Sequence, residues 1–312
     1  MPQYHFPIKK PYINKTTLYL PIRHIYTAQH HIYPPPVSNN KDKTMKLPIL
    51  FLGHGNPMNA IQNTPYAQNW RTLGRYLHQH YGSQIRAILA ISAHWQTNGI
   101  AVTAMSQPRT IHDFRGFPPA LFNLQYPAQG YPELVSEIQA LIPNHPLQAN
   151  HDWGLDHGTW GVLCHLFPEA HLPVVQLSLN THFHAQDHLT LAQQLAPLRE
   201  QGILIVCSGN IVHNLRLMDW QNPDDTSPAY DWAERARHLV NHWLLHDHLH
   251  ALANEAHYPP ELRLAAPTLE HWYPLLYAVG AAEQGEIRQI FNDDIVGKSL
   301  SMTSIIFGDR VF

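Results

Sequence analysis

The chain has 312 residues, of which 44% are hydrophobic and 14% charged, well below the charged share of about 25% usual for soluble proteins. That composition excludes a disordered chain, a coiled coil and a collagen-like fibre. Lys plus Arg is 20 and Asp plus Glu is 23, a formal charge of −3, so the basic footprint of a nucleic-acid binder is missing. The 25 histidines outnumber all the acids together and point instead to metal or proton chemistry.

Residues 1–44 carry Lys9, Lys10, Lys15, Arg23, Lys41 and Lys43, a Pro34–Pro36 run and no sustained periodicity. They read as a non-catalytic extension, disordered or arising from a misassigned start at Met45; a targeting peptide is the weaker alternative. A single catalytic domain is expected over 45–312. Its first strand is Leu47–Leu52, followed by the stripe Tyr66, Trp70, Leu73, Leu77 and Tyr81, whose spacing predicts an amphipathic helix. Further strands are expected at Ile85–Ser92, Ile100–Met105, Val174–Leu179, Ile203–Ser208 and Met302–Phe307, and helices at about 131–142, 158–166, 186–199, 229–250 and 271–283. Such alternation predicts an α/β fold with a central twisted, mostly parallel or mixed sheet covered by helices on both faces. Cys164 and Cys207 lie among apolar residues and read as buried, reduced thiols. No apolar run reaches the roughly 18 residues of a membrane span, so a soluble, cytoplasmic protein without membrane partners is expected, as a monomer or small homo-oligomer.

The residues just past the apolar strands carry the chemistry. Leu50–Leu52 runs into Gly53-His54-Gly55, Ile88–Ser92 into Ala93-His94-Trp95, and Ile203–Ser208 into Gly209-Asn210, with His213 just beyond. Ligands bind beyond the carboxyl ends of strands in open α/β sheets, and imidazole is a common neutral ligand of transition metals. A fourth histidine, His271, comes after Thr268, which is placed to cap a helix and set His271 on its first turn. His182, His184, His246, His248 and His250 have closer spacings, yet only His246 and His250 would share a helix face; these read as solvated surface. The segment Trp153–Gly161 places His157 between two tryptophans, and Thr110–Pro118 is too aromatic for an ordinary loop; both suit the wall of a pocket for a planar molecule.

The ordered set Gly53-His54-Gly55-Asn56-Pro57, Ser92-Ala93-His94-Trp95, Thr110-Ile111-His112-Asp113-Phe114, Asp156–Gly161, Ser208–Asn214 and Pro267–His271 resembles the 4,5-DOPA extradiol dioxygenase family, within the class III, LigB-like ring-cleaving dioxygenases. The resemblance covers 47–312. It implies a LigB-like fold and a mononuclear non-haem metal held by His54, His94 and His271. In this likeness His213 serves as the acid–base residue and also approaches the metal, and His157 lies beside substrate and oxygen. The implied reaction inserts both atoms of O2 into a small catechol such as L-DOPA, by 4,5-cleavage. Trp95, Phe114, Trp153 and Tyr273, with Phe117, are candidates for the substrate wall. Arg115 departs from the pattern, which has a small residue there, and bears on substrate size and charge.

The metal has two candidates. Oxygen-activating non-haem iron usually sits on two histidines and a carboxylate, whereas three histidines with an open position also suit zinc. Of the carboxylates near by in sequence, Asp156 and Glu270, the latter is expected to face away from its neighbour His271 on the helix. Fe(II) is therefore expected for activity and Zn(II) as an alternative occupant. A zinc-dependent hydrolase using the same histidines and a non-enzymatic metal-binding protein remain as alternatives.

Overall fold

In chain order the polypeptide forms β1 (Ile49–Gly53), α1 (Pro65–Tyr81), β2 (Ala87–Thr97), β3 (Ile100–Thr103), α2 (Pro119–Phe122), α3 (Leu134–Leu141), β4 (Leu147–Asn150), α4 (His157–Leu166) and β5 (Val174–Asn180). The second half adds α5 (Ala185–Leu195), β6 (Ile203–Gly209), α6 (Asp231–Leu245), α7 (Leu249–Ala253), α8 (Pro260–Ala265), α9 (Tyr273–Ala281), β7 (Arg288–Phe291), β8 (Ile295–Val296), β9 (Leu300–Ser301) and β10 (Ser304–Phe307). The computed structural model describes residues 46–312, so the expected extension over 1–44 lies outside the described residues. No helix among the described residues is long and apolar enough to cross a membrane.

Eight strands form one mixed sheet in the order β4-β3-β5-β2-β6-β1-β10-β7. Its centre, β5-β2-β6-β1, is parallel, while β10 joins β1 antiparallel. Side chains along the central strands alternate between two cores, as the period of two requires. Ile49, Phe51, Leu89, Ile91 and Ile205 pack with α5 and α9. Leu50, Leu52, Ile88, Leu204 and Val206 pack on the other face with Trp70 and Leu73 of α1 and Trp160 and Leu163 of α4. Burial on both faces is why these strands read as continuous apolar runs.

Helix α1 begins where the sequence stops it from beginning earlier: the Thr64 hydroxyl accepts from the Ala67 amide and Pro65 occupies the first turn. The stripe Tyr66, Trp70, Leu73 and Leu77 is buried as its spacing predicts. The single helix expected over 229–250 is two helices, because the chain reverses at Asp247, a non-glycine residue at φ 59°. His246 and His250 consequently lie on different elements and share no face. Both cysteines are free, Cys207 buried within β6 and Cys164 half-buried in α4.

Arg199 ties three parts of the fold together. Its side chain is 1% exposed and donates to the carbonyls of Leu47 (2.8 Å) and Ala281 (3.0 Å), with Glu286 2.8 Å away as its counter-ion. Removing one partner of a buried ion pair strands the other charge and costs about 3–5 kcal/mol. Arg199→Ala should therefore lower the unfolding free energy by about that amount, read as a reduced urea midpoint at unchanged slope.

Candidate metal centre

Five imidazoles converge at the carboxyl edge of the central strands. His54 leaves the end of β1, its amide held by the Gly209 carbonyl of β6 (3.3 Å). Two glycines make that turn possible. A Cβ on Gly53 would fall 2.6 Å from the Met302 carbonyl, and Gly55 sits at φ +62°, a region that glycine enters without steric cost.

His94 lies inside β2 rather than just past its end as expected. Ile91 pairs with Leu177 and Gln96 with Leu179, so the four residues Ser92–Trp95 stand opposite Ser178 alone. This bulge lets the strand run on to Thr97 while turning His94 towards His54; bulges re-aim side chains in this way beside functional sites. Gly158 opens room for it, since a Cβ there would meet Ser92 Oγ at 2.4 Å and His94 Cδ2 at 2.9 Å.

His271 corrects a second expectation. It occupies a turn before α9, not the helix's first turn, and the Thr268 hydroxyl bonds the Glu270 carboxylate (2.9 Å) instead of capping backbone. Its carbonyl accepts from the Asn210 amide (2.9 Å). A Cβ on Gly209 would sit 2.2 Å from that carbonyl oxygen, so only glycine allows the contact. Because the backbone is a turn here, Glu270 does not face away: its carboxylate lies 3.2 Å from His271 Nδ1. His213 sits four residues beyond β6, its amide on the Ala265 carbonyl (2.8 Å) and its ring stacked on His271 at 3.5 Å.

The rings of His54 and His94 are 5.1 Å apart, those of His54 and His271 5.3 Å, and those of His94 and His271 4.9 Å. His157, at the start of α4, lies 3.9 Å from His94. Candidate ligand atoms fall within 4.8 Å of one another in two sets among the described residues, His54 with His94 and His157, and His213 with Glu270 and His271. The Nε2 atoms of His54 and His94 are 3.2 Å apart. Two nitrogens on a tetrahedral ion with bonds of about 2.0–2.1 Å are separated by roughly 3.3 Å, so this pair has the spacing of two ligands.

In four of the five rings Nδ1 faces an acceptor. Ser208 Oγ donates to the Gly158 carbonyl (2.5 Å) and so must accept from His54 Nδ1 (2.9 Å). Asp113 Oδ1 accepts from both the amide (3.0 Å) and Nδ1 (2.9 Å) of His157, while Oδ2 lies 3.4 Å from His94 Nδ1. Anchoring Nδ1–H in this way fixes the tautomer that leaves the Nε2 lone pair for a metal. Desolvation leads the electrostatics. Burial, then the neighbouring imidazoles, holds His54 and His271 well below the usual imidazole range; His94 is lowered by burial and His157 against the pull of Asp113. Burial likewise takes His213 down to about 4. Asp113 is pulled to about 2, its hydrogen bond with His157 and the charges around it outweighing the opposing desolvation. A buried set of neutral nitrogen donors with anchored second nitrogens fits a divalent metal of the iron or zinc kind.

The expected aromatic wall divides. Phe114 meets His157 edge-on at 5.5 Å, with Phe117 packed on Phe114. Trp95 and Trp153 stack on each other at 5.6 Å, and Tyr273 packs on His188 at 4.1 Å; none of these three contacts the five imidazole rings among the described residues. Arg115 is exposed. Asp156 holds the start of α4 through the Thr159 amide (3.1 Å) and bonds Gln176, at a distance from ligand duty. His182 and His184 pair with Asn98 and Glu255, as surface residues do. Sequence reasoning missed Ser208 and Asp113 as anchors; Asp113 lay within a motif read only as a wall, and its acid-next-to-aromatic placement was the one available signal.

Comparison with known proteins agrees with this geometry. Residues 48–302 match the family described as the catalytic LigB subunit of aromatic ring-opening dioxygenase. The chain belongs to this LigB family. An Escherichia coli K12 protein named 4,5-DOPA dioxygenase extradiol is 42% identical, over 84% of this chain and 95% of its own length. A Beta vulgaris protein of the same name is 34% identical, over 82% and 95%. A crystal structure of an uncharacterized Escherichia coli K12 protein superposes with a TM-score of 0.70 at 37% identity, covering 84% of this chain and all of that one.

Anchoring and burial each have a measurable consequence. Ser208→Ala and Asp113→Asn should each weaken zinc affinity by about 10–100-fold, measured by competition with a chromogenic chelator. The metal-free protein should lose stability as pH falls. Unfolded imidazoles protonate near 6.5, whereas His54, His94, His213 and His271 titrate lower when folded, so stability present above about pH 6.5 declines towards about pH 4 by up to about 1.4 kcal/mol per pH unit for each of these groups. Urea midpoints of chelator-treated protein across that range check the sign.

Proposed function

We propose that the chain is a metal-dependent extradiol dioxygenase that opens the ring of a catechol, with L-DOPA as the first substrate to test. The observation that carries this reading is the convergence of five imidazoles, three buried and two half-buried, at one sheet edge, with His54 and His94 Nε2 atoms 3.2 Å apart. The names of the relatives support the same class. In this proposal His54, His94 and His271 hold the metal, with His213 beside them. Fe(II) in such a site would supply Lewis acidity towards the catechol oxygens and a path for electrons from ring to dioxygen, whereas zinc would supply only the first.

The remaining roles belong to the protein. His213, kept neutral by burial, takes the proton from a catechol hydroxyl and returns it after ring opening. His157 is oriented by Asp113 through its amide and Nδ1, which leaves the Nε2 lone pair to accept a hydrogen bond from a catechol hydroxyl or a protonated oxygen. Phe114, against His157, forms the flat wall on which an aromatic ring lies, and Phe117, packed edge-on against Phe114, supports it. Arg115, exposed one residue from Phe114, places a cation where a substrate carboxylate would be welcome.

The test is anaerobic loading with Fe(II), then oxygen uptake and visible absorbance with L-DOPA and simpler catechols, beside a zinc-loaded control. Uptake with a yellow product only in the iron form is the expected result; turnover of an ester without oxygen in the zinc form would favour a hydrolase. His54→Ala, His94→Ala or His271→Ala should abolish stoichiometric metal. His213→Ala should retain metal and lose about 10²–10⁴-fold in turnover, the span of general acid–base catalysis.

A further inference from the structure

Away from the metal centre, Arg71 and Arg75 stand one turn apart on the same face of α1 and line a groove of about 500 Å³. Leu166, Phe167 and Pro168, at the far end of α4 from His157, form its chiefly apolar wall. With ten residues in α4, the two ends of that helix are roughly 14 Å apart at about 1.5 Å per residue. Gly74 lets the two helices close on each other, since a Cβ there would meet the Leu166 carbonyl oxygen at 2.0 Å.

Neither guanidinium has an acidic partner among the described residues. Arg71 donates to His165 Nδ1 (3.0 Å) and to Asn63, and Arg75 to the Thr72 hydroxyl (3.0 Å). His165 gives its Nε2–H to the Asn59 carbonyl (2.8 Å), so Nδ1 accepts and Arg71 is held in place before any ligand arrives. Glu169 is the one carboxylate on the lining, and it pairs with neither arginine. At the rim, exposed His171 and His78 meet edge to face at 6.1 Å and offer flat ring surface, backed by the buried Phe167, 6.3 Å from His171.

Uncompensated guanidinium groups beside an apolar, aromatic wall are complementary to an organic anion: the planar fork takes a carboxylate in two hydrogen bonds, and the wall takes the ring. We propose that this groove is a second ligand site, separate from the metal centre, for an aromatic carboxylate. Arg75 and Arg71 bind the carboxylate, and the exposed Pro168, His171 and His78 bind the ring.

Isothermal titration of the full chain with benzoate tests this, after chelator treatment so that no metal competes for the carboxylate. A single saturable site is expected, weakened at least about tenfold in Arg75→Gln and in Arg71→Gln, with benzamide and inorganic phosphate each at least about tenfold weaker than benzoate. Arg75 is exposed and among the described residues bonds the Thr72 hydroxyl alone, so its replacement leaves the fold intact. Absence of saturable benzoate binding overturns the proposal, as does undiminished affinity in both variants. Equal binding of benzamide would remove the role of charge, and equal binding of phosphate the role of the apolar wall; either result also overturns it.

Discussion

An imidazole offers a lone pair from Nε2 only while Nδ1 keeps the proton, and the site is organised around holding that proton. Ser208 does it for His54, Asp113 for His157 with a longer approach to His94, and Glu270 for His271. Without these acceptors a buried neutral imidazole could present either nitrogen, and a cluster of them would have no common direction. Donors and anchors come from separate segments, so the site exists only once β1, β2, β6, the Asp113 loop and the turn before α9 have met. Folding and the electronic preparation of the donors are here one event.

The sheet makes that meeting possible through close approach. Parallel β1, β6 and β2 deliver three chain segments to one edge, but the strands are too far apart for their ends to touch without help. Gly53, Gly158 and Gly209 supply it, each at a place where one added carbon would strike backbone or a ligand-side atom. The bulge at Ser92–Trp95 does the same for direction, turning a residue that a regular strand would have aimed elsewhere. Tight contact at these points removes water from His54, His94 and His271, and that desolvation is the leading cause of their lowered basicity.

The legible part of the sequence is set by this division between local and non-local causes. His54 was legible because its glycines and its strand are its sequence neighbours. The two-sided sheet was legible because burial on both faces writes continuous apolar runs such as Leu50–Leu52 and Ile203–Val206. The bulge at His94 was not, since it is defined by what stands opposite on β5. Thr268 looked like a cap, yet its hydroxyl found Glu270 first. That competition between side chain and backbone undid the helical geometry from which Glu270 had been placed away from His271. Asp113 is 44 residues from His157 in the chain, and nothing local announces the pairing. The break at Asp247 likewise hid behind a helical pattern that continued on paper.

The charge balance of the centre has its own logic. A direct carboxylate ligand would neutralise part of a divalent ion's charge, whereas imidazole ligands, uncharged when they coordinate, would leave it available. Asp113 and Glu270 stand against the Nδ1 atoms of His94 and His271, where they raise the basicity of the ring nitrogens. Asp156 is kept out of this arrangement. Burial raises its carboxyl to about 6, Gln176 and Ser92 hold it, and its oxygen serves the start of α4. A carboxylate placed where the ion sits would have been the more familiar donor for iron. Standing on the Nδ1 side of His157 and His271, Asp113 and Glu270 instead orient those rings and leave their Nε2 atoms to the centre.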